Sequence, residues 1–329
     1  MKKDKFSRGV EKLVDPITVG SIHFIQQFNQ LLPKFIQANL IKSSAVKIPY
    51  MGFVVEPYSF FLCYEIADLE KAKSLLPDGF RLIKTSIFTD DAPKYYGLFG
   101  CFRSHTSAFW GARIEFYIIA EDEKTGLLSW VIVDYDTDTI SYDSGHGLRA
   151  PGAPRSVMTT NYSGQLIVDM KRTDNERQID FEVDLNDGKT RPLDKRLWLE
   201  GNLSVAYGKV LSENNADVFS LKFNPEEVEE AQEISLDKLY LEKNNWYPGL
   251  LKSEPAKLAC FPYAQHFVSD SPGHASNIKN EEELAKAINE IDFDNISVFS
   301  AKPFKFAMIA SGLISFLITI TLLALYIFK

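Results

Sequence analysis

Apolar residues change their spacing along the chain, and each change announces a different kind of element. Ile22, Ile25, Phe28, Leu32, Phe35 and Ile36 recur three or four apart, with Gln26, Gln27, Asn29 and Gln30 between them. That is the stripe of an amphipathic helix. Pro33 splits it into two helices or opens the second, because proline is tolerated only in a first turn. From Tyr58 to about Phe267 the pattern becomes that of strands, rich in aromatic and β-branched residues. Strands are expected over residues 58–64, 80–88, 95–102, 108–120, 127–135, 164–170, 178–185, 197–207 and 218–223. Asp68 is placed to cap a short helix, Leu69 to Leu76, that Pro77-Asp78-Gly79 stops. Residues 121–126 and Asn186-Asp187-Gly188 read as hairpin turns. A late helix is expected over Glu281 to Ile291.

The pattern ends on 23 residues, Phe306 to Phe328, without a charge. At about 1.5 Å per residue they span roughly 34 Å, enough for a hydrocarbon core of about 30 Å. A transmembrane helix is expected there, with the lipid bilayer as partner. Lys302 and Lys305 precede the span, and Lys329 alone follows it. The excess of positive charge before the span directs the large domain to the cytoplasm. Lys2, Lys3, Lys5 and Arg8 resemble the start of a signal peptide, but Glu11, Lys12 and Asp15 arrive before any apolar stretch. Ala307, Ser311, Ser315 and Thr319 fall four apart on the span, a spacing that lets helices approach closely and form a homo-oligomer. The organisation expected is an N-terminal helical segment (1–49), a β domain (50–275), a helix and linker (276–303) and the membrane helix (304–328).

Charge excludes one class of partner. Residues 1–55 carry eight Lys or Arg against three Asp or Glu, while the remainder carries 28 against 41. So acidic a body does not suit nucleic acid. The three cysteines, Cys63, Cys101 and Cys260, have neither metal-ligand nor disulfide-framework spacing and fit a reducing compartment. The five histidines lack metal spacing, and there is no Walker A loop, GxGxxG, HExxH or GxSxG. Neither metal nor cofactor is expected.

Two segments could carry chemistry. On the strand around Glu115, alternation puts Arg113, Glu115, Tyr117 and Ile119 on one face and Trp110, Ala112, Ile114, Phe116 and Ile118 on the other. The charged face can line a polar cavity or lie in solvent, and periodicity leaves both open. The second segment, residues 144–155, is rich in Gly and Pro and holds His146, Arg149 and Arg155. Such a loop can present guanidinium groups to a carboxylate or phosphate; a plain surface connection is the other reading.

The order of three features resembles acetoacetate decarboxylase-like proteins over about residues 50–275. Residues 58–82 run from an aromatic strand through Asp68 and a short helix to Leu76-Pro77-Asp78-Gly79 and a second strand. Gly111-x-x-x-Glu115 is similar to the family's Gly-x-Tyr-x-Glu strand, with Arg113 where Tyr is common. Gly145 to Pro154 falls where the family bears its Schiff-base lysine. The resemblance implies a mainly β (α+β) fold: a closed antiparallel β-barrel around a central cavity, with Glu115 facing inward. It also exposes a departure. No lysine lies between Lys124 and Lys171, and Glu56 and Pro57 stand near the place of a family arginine. Arginine cannot form the imine, since its guanidinium stays protonated.

Three functions follow from this reading. The first is a membrane-tethered cavity that binds a small organic acid or acyl-type ligand through Arg113, Tyr117, Arg149 and Arg155, without imine chemistry. The second is a lyase or hydratase-like enzyme using Glu115 and His146 for proton transfer. The third is an interaction module with a vestigial site. The stripe 22–36 is expected to cover the Trp110, Ile114 and Phe116 face.

Overall fold

The computed structural model describes residues 5–15, 33, 35–36, 50–106, 110–139, 141–143, 147–174, 176–212, 218–270, 278–296 and 302–327. Helix α1 is Lys5–Leu13 and α2 is Leu69–Leu75. The strands before the midpoint are β1 (Tyr50–Val55), β2 (Ser59–Glu65), β3 (Phe80–Leu82), β4 (Tyr96–Thr106), β5 (Trp110–Asp122), β6 (Leu128–Thr137), β7 (Ser141–Asp143), β8 (Gly147–Arg149) and β9 (Val157–Thr160). The second half adds β10 (Gln165–Lys171), β11 (Gln178–Asp184), β12 (Lys189–Pro192), β13 (Val205–Tyr207), β14 (Leu221–Phe223), β15 (Glu230–Ile234), β16 (Leu239–Asn244), β17 (Lys257–Phe261) and β18 (Gln265–Asp270). Helices α3 (Glu281–Glu290) and α4 (Lys302–Ile327) close the chain.

The protein is mainly β. A twelve-stranded sheet follows the order β12-β15-β17-β2-β4-β1-β18-β14; β5 joins β4 to β3 and β6, and β13 pairs with β6. It branches because β4 outruns its neighbour: residues 96–101 pair with β2, residues 104–106 pass to β1, and the opposite edge pairs with β5. A four-stranded sheet, β16-β11-β10-β9, and the β7–β8 hairpin are separate. The pairs are antiparallel except β6 with β13. The strands form no closed barrel among the described residues; beyond β13 there is only an isolated bridge, Val205 to Phe219.

Both faces of the large sheet are covered, which is why β5 and β6 read as nearly continuous apolar runs. On one face Ile114, Phe116, Phe60 and Phe99 pack against Val168 and Phe181 of the four-stranded sheet. Phe60 meets Phe181 at 5.6 Å, and Phe99 stacks on Phe116 at 4.7 Å. The expected cover, residues 22–36, lies outside the described residues except Pro33, Phe35 and Ile36. The four-stranded sheet takes that place for Ile114 and Phe116, while Trp110 stays 38 % exposed. The opposite face holds Phe61, Trp130, Trp198 and Leu284 of α3.

Asp68 caps α2 by accepting from the Lys71 N–H at 2.9 Å. Residues 197–207 are helical turns (Arg196–Glu200, Gly201–Leu203) before β13, not one long strand. Asp194 accepts from the Leu197 N–H at 2.9 Å and starts those turns, and the Trp130 indole N–H donates to the Leu197 carbonyl at 2.8 Å. Helix α1, unforeseen, buries Phe6, Val10 and Leu13 against Val268, Ile291 and Phe293. A Cβ on Gly9 would come within 2.3 Å of the Phe293 ring. In α4, Ile309–Ile327 is long and apolar enough to cross a membrane and is unburied by the rest of the chain.

Candidate functional site

Strand β5 places Arg113, Glu115 and Tyr117 on one face, and all three are buried or nearly so: Glu115 is 8 % and Tyr117 7 % exposed. The solvated reading of this face is excluded. Glu115 lies opposite Gly100 on β4 and Tyr135 on β6. A Cβ at Gly100 would sit 2.9 Å from Phe61 and 3.2 Å from Tyr117, so the glycine makes room for the tyrosine ring beside the carboxylate.

The three side chains form one hydrogen-bonded row. Arg113 donates through Nε to Glu115 Oε1, and the Tyr117 hydroxyl donates to Glu115 Oε2. The guanidinium lies over the Tyr135 ring, 3.8 Å from its centroid, a contact worth about 2 kcal/mol when desolvated. The Tyr135 hydroxyl is 2.9 Å from Ser141 Oγ. Burial works against the Arg113 charge, but Glu115 and the Tyr135 and Tyr207 side chains outweigh it and hold the guanidinium above its ordinary pKa. Burial pushes the Tyr117 hydroxyl well up, and the Glu115 charge adds to this. Tyr117 therefore stays a donor and fixes the carboxylate, which in turn orients the guanidinium. The Arg113 Nη groups make no hydrogen bond among the described residues. A clamped guanidinium with a free fork suits a planar oxyanion.

The structure assembles only part of the expected site. His146 lies outside the described residues. Arg149 is placed by its backbone, pairing with Ser141 in the β7–β8 hairpin. Arg155 is exposed and follows Ala153, which packs in the core on the other face of the large sheet. It is not brought to Glu115.

Sequence reasoning missed two polar clusters. Asp134 accepts from Arg177 and from the Tyr247 hydroxyl, the latter at 3.0 Å, and Arg172 approaches Asp136 at 3.4 Å. The alternation Asp134-Tyr135-Asp136 was the available signal: it puts both acids on the face opposite Tyr135. In the second cluster, His105 Nε2 is 2.6 Å from Glu56 Oε1 and Arg103 Nε 3.4 Å from Oε2. No local pattern announces that one. No group of three His, Cys, Asp or Glu able to hold a metal occurs among the described residues. The buried lysine Lys222 is paired with Asp270 at 2.6 Å, on the face of β14 turned to Val268 and α1, away from Glu115.

No protein-family profile and no curated protein matches this sequence. Among solved structures the chain is similar to acetoacetate decarboxylase from Legionella pneumophila, at 12 % identity and a TM-score of 0.38, covering 68 % of this chain and 84 % of that one. It is also similar to the enduracididine biosynthesis enzyme MppR with HEPES buffer bound, at 10 % identity and a TM-score of 0.37, covering 69 % of this chain and 86 % of that one.

Proposed function

We propose that this chain is a membrane-tethered binding domain for a small organic acid or acyl-type ligand, held at the Arg113–Glu115–Tyr117 row without imine chemistry. The observation that carries the proposal is the Arg113 guanidinium: buried, stacked on Tyr135 at 3.8 Å, tied through Nε to Glu115, with its Nη edge unused among the described residues. Holding an arginine in that state is costly unless its fork is used, because desolvating a charge costs several kcal/mol. A ligand carboxylate or carbonyl oxygen would complete the fork in bidentate fashion, and the surrounding aromatic rings would take an apolar tail. The absence of lysine from 125 to 170 and the Asp270 pairing of Lys222 support binding over imine formation. Tethering is supported by the unburied apolar span Ile309–Ile327.

The test uses the full chain in mild detergent. Native mass spectrometry should find a co-purifying small acid in wild type and lose it in Arg113→Gln. Borohydride reduction with β-keto acids should add no mass. Equal ligand content in Arg113→Gln, or a reducible adduct on a lysine, overturns the proposal.

A further inference from the structure

Strand β9 is the outer strand of the four-stranded sheet, and its composition is unusual for that place. Edge strands are commonly protected by a lysine, a proline, a bulge or an inward charge against pairing with other chains. Val157-Met158-Thr159-Thr160 has none of these. The Asn161 N–H donates to the Gln165 carbonyl at 2.9 Å, which fixes the phase of the β9–β10 ladder. Thr159 and Val157, opposite Ile167 and Asp169, then exchange hydrogen bonds with β10. The main-chain groups of Met158 and Thr160 point to the outer edge, where no described strand pairs with them.

An open groove of about 520 Å³ runs along that edge, lined on one side by residues 156–160 and on the other by Glu56, Pro57, Tyr58 and Arg103. Its far wall has a chemistry of its own. Tyr58 is 38 % exposed and holds φ at 70°, a left-handed backbone that costs an aromatic residue about 1–3 kcal/mol and tends to persist at functional sites. Val157, 44 % exposed, gives the near wall an apolar patch. Glu56 is already shared between His105 and the Nε of Arg103, and the Arg103 Nη groups make no hydrogen bond among the described residues. Arg155, exposed, adjoins Ser156 at the end of the groove. The far wall thus presents the Arg103 guanidinium beside a carboxylate that is already paired.

We propose that the β9 edge and this groove form a docking site for an extended peptide that carries an acidic side chain, added as a fifth strand to the four-stranded sheet. Main-chain hydrogen bonds to Met158 and Thr160 would set its register, Tyr58 and Val157 would take its apolar side chains, and Arg103 its carboxylate. The site lies across the large sheet from Arg113 and stands or falls independently of it.

The test pans a phage-displayed heptapeptide library against the full chain in detergent micelles, with Thr160→Pro panned in parallel. Thr160→Pro removes an outward donor and leaves the β10 pairing intact. Enriched peptides should alternate β-branched or aromatic residues and hold Asp or Glu at one fixed place. Synthetic versions should bind about tenfold more weakly to Thr160→Pro and to Arg103→Gln. N-methylation of alternate amides should abolish binding in one parity and spare it in the other, an arm that leaves the chain unaltered should Thr160→Pro fail to fold. Three results would overturn the proposal: no enrichment over Thr160→Pro, indifference to N-methyl parity, or equal binding of peptides without an acid. A concentration-dependent dimer of wild type that Thr160→Pro abolishes would assign the edge to a second copy instead.

Discussion

Replacing Glu115 by glutamine perturbs the row at its centre. The carboxylate accepts from both Arg113 and Tyr117, and glutamine offers an NH2 to one of those two donors. Arg113, whose side chain is 13 % exposed, then stays in place without its counter-charge. Breaking a buried pair from one side costs about 3–5 kcal/mol. The residual exposure of Arg113 puts the expected loss at the lower end, about 3 kcal/mol. For a domain of this size each kcal/mol lowers the melting temperature by about 2–4 °C, so a drop of roughly 6–12 °C is expected. Thermal unfolding of the full chain in detergent, followed by circular dichroism at neutral pH, measures it. The triple variant Arg113→Met, Glu115→Leu and Tyr117→Phe removes both charges and the hydroxyl that would lose its acceptor, and should recover most of the loss, since apolar replacement of a buried pair is often neutral or stabilising. A Glu115→Gln melting temperature within about 2 °C of wild type would refute the reasoning. So would a triple variant no more stable than the single one.

Three further outcomes are expected. Glu233 is partly buried, which alone would raise its pKa, but its hydrogen bonds to Lys257 and Arg191 hold it below the usual carboxylate range. Its contribution is therefore complete above the unfolded value and disappears as pH falls through the lowered one, so melting curves from about pH 7 to pH 3 should lose less stability on acidification in Glu233→Gln than in wild type. Gly201→Ala would put a Cβ 1.8 Å from the Trp130 indole nitrogen, and Trp130 is fixed by its bond to Leu197. The variant should lose about 1–3 kcal/mol by urea titration, with a changed tryptophan emission. Finally, protease added to intact cells should leave the domain uncut if Lys302 and Lys305 set its orientation, and cleavage from outside would reverse that assignment.

Local signals survived into the structure where the backbone itself decides. The Asp68 cap and the β5 and β6 strands depend on neighbours in sequence, and they are where the pattern puts them. Alternation also sorted Arg113, Glu115 and Tyr117 from Ile114 and Phe116 correctly. What alternation lacks is the identity of the cover. It pairs residues on a face and is silent on which sheet meets that face, so the four-stranded sheet was unforeseen. Leu197-Trp198-Leu199 satisfies a strand and a helical turn equally. Asp194 and the Trp198 indole, which donates to the Ile87 carbonyl at 2.9 Å, decide for the turn. Glu56 and His105 are 49 residues apart, and only folding brings them together. In α1 the spacing of Phe6, Val10 and Leu13 is visible in the sequence, but a segment of nine residues is too short to fix a helix without the surface that covers it.

The packing of α1 on Phe293 has a bearing on the order of assembly. Phe6 and Phe293 meet at 5.9 Å, and Lys12 reaches Asp294 at 2.9 Å, yet nearly the whole domain separates them in sequence. Closing a loop of that length in a flexible chain costs roughly 5 kcal/mol of entropy. A cluster of six buried residues cannot meet that cost early, so α1 docks only after the large sheet has brought β18 and the 291–293 segment together. Until then Phe6, Val10 and Leu13 are exposed on a nascent amphipathic helix, open to chaperone binding during synthesis. In the finished protein the same six-residue cluster is all that holds α1 down, so its amides should exchange with solvent before those of β4 and β5.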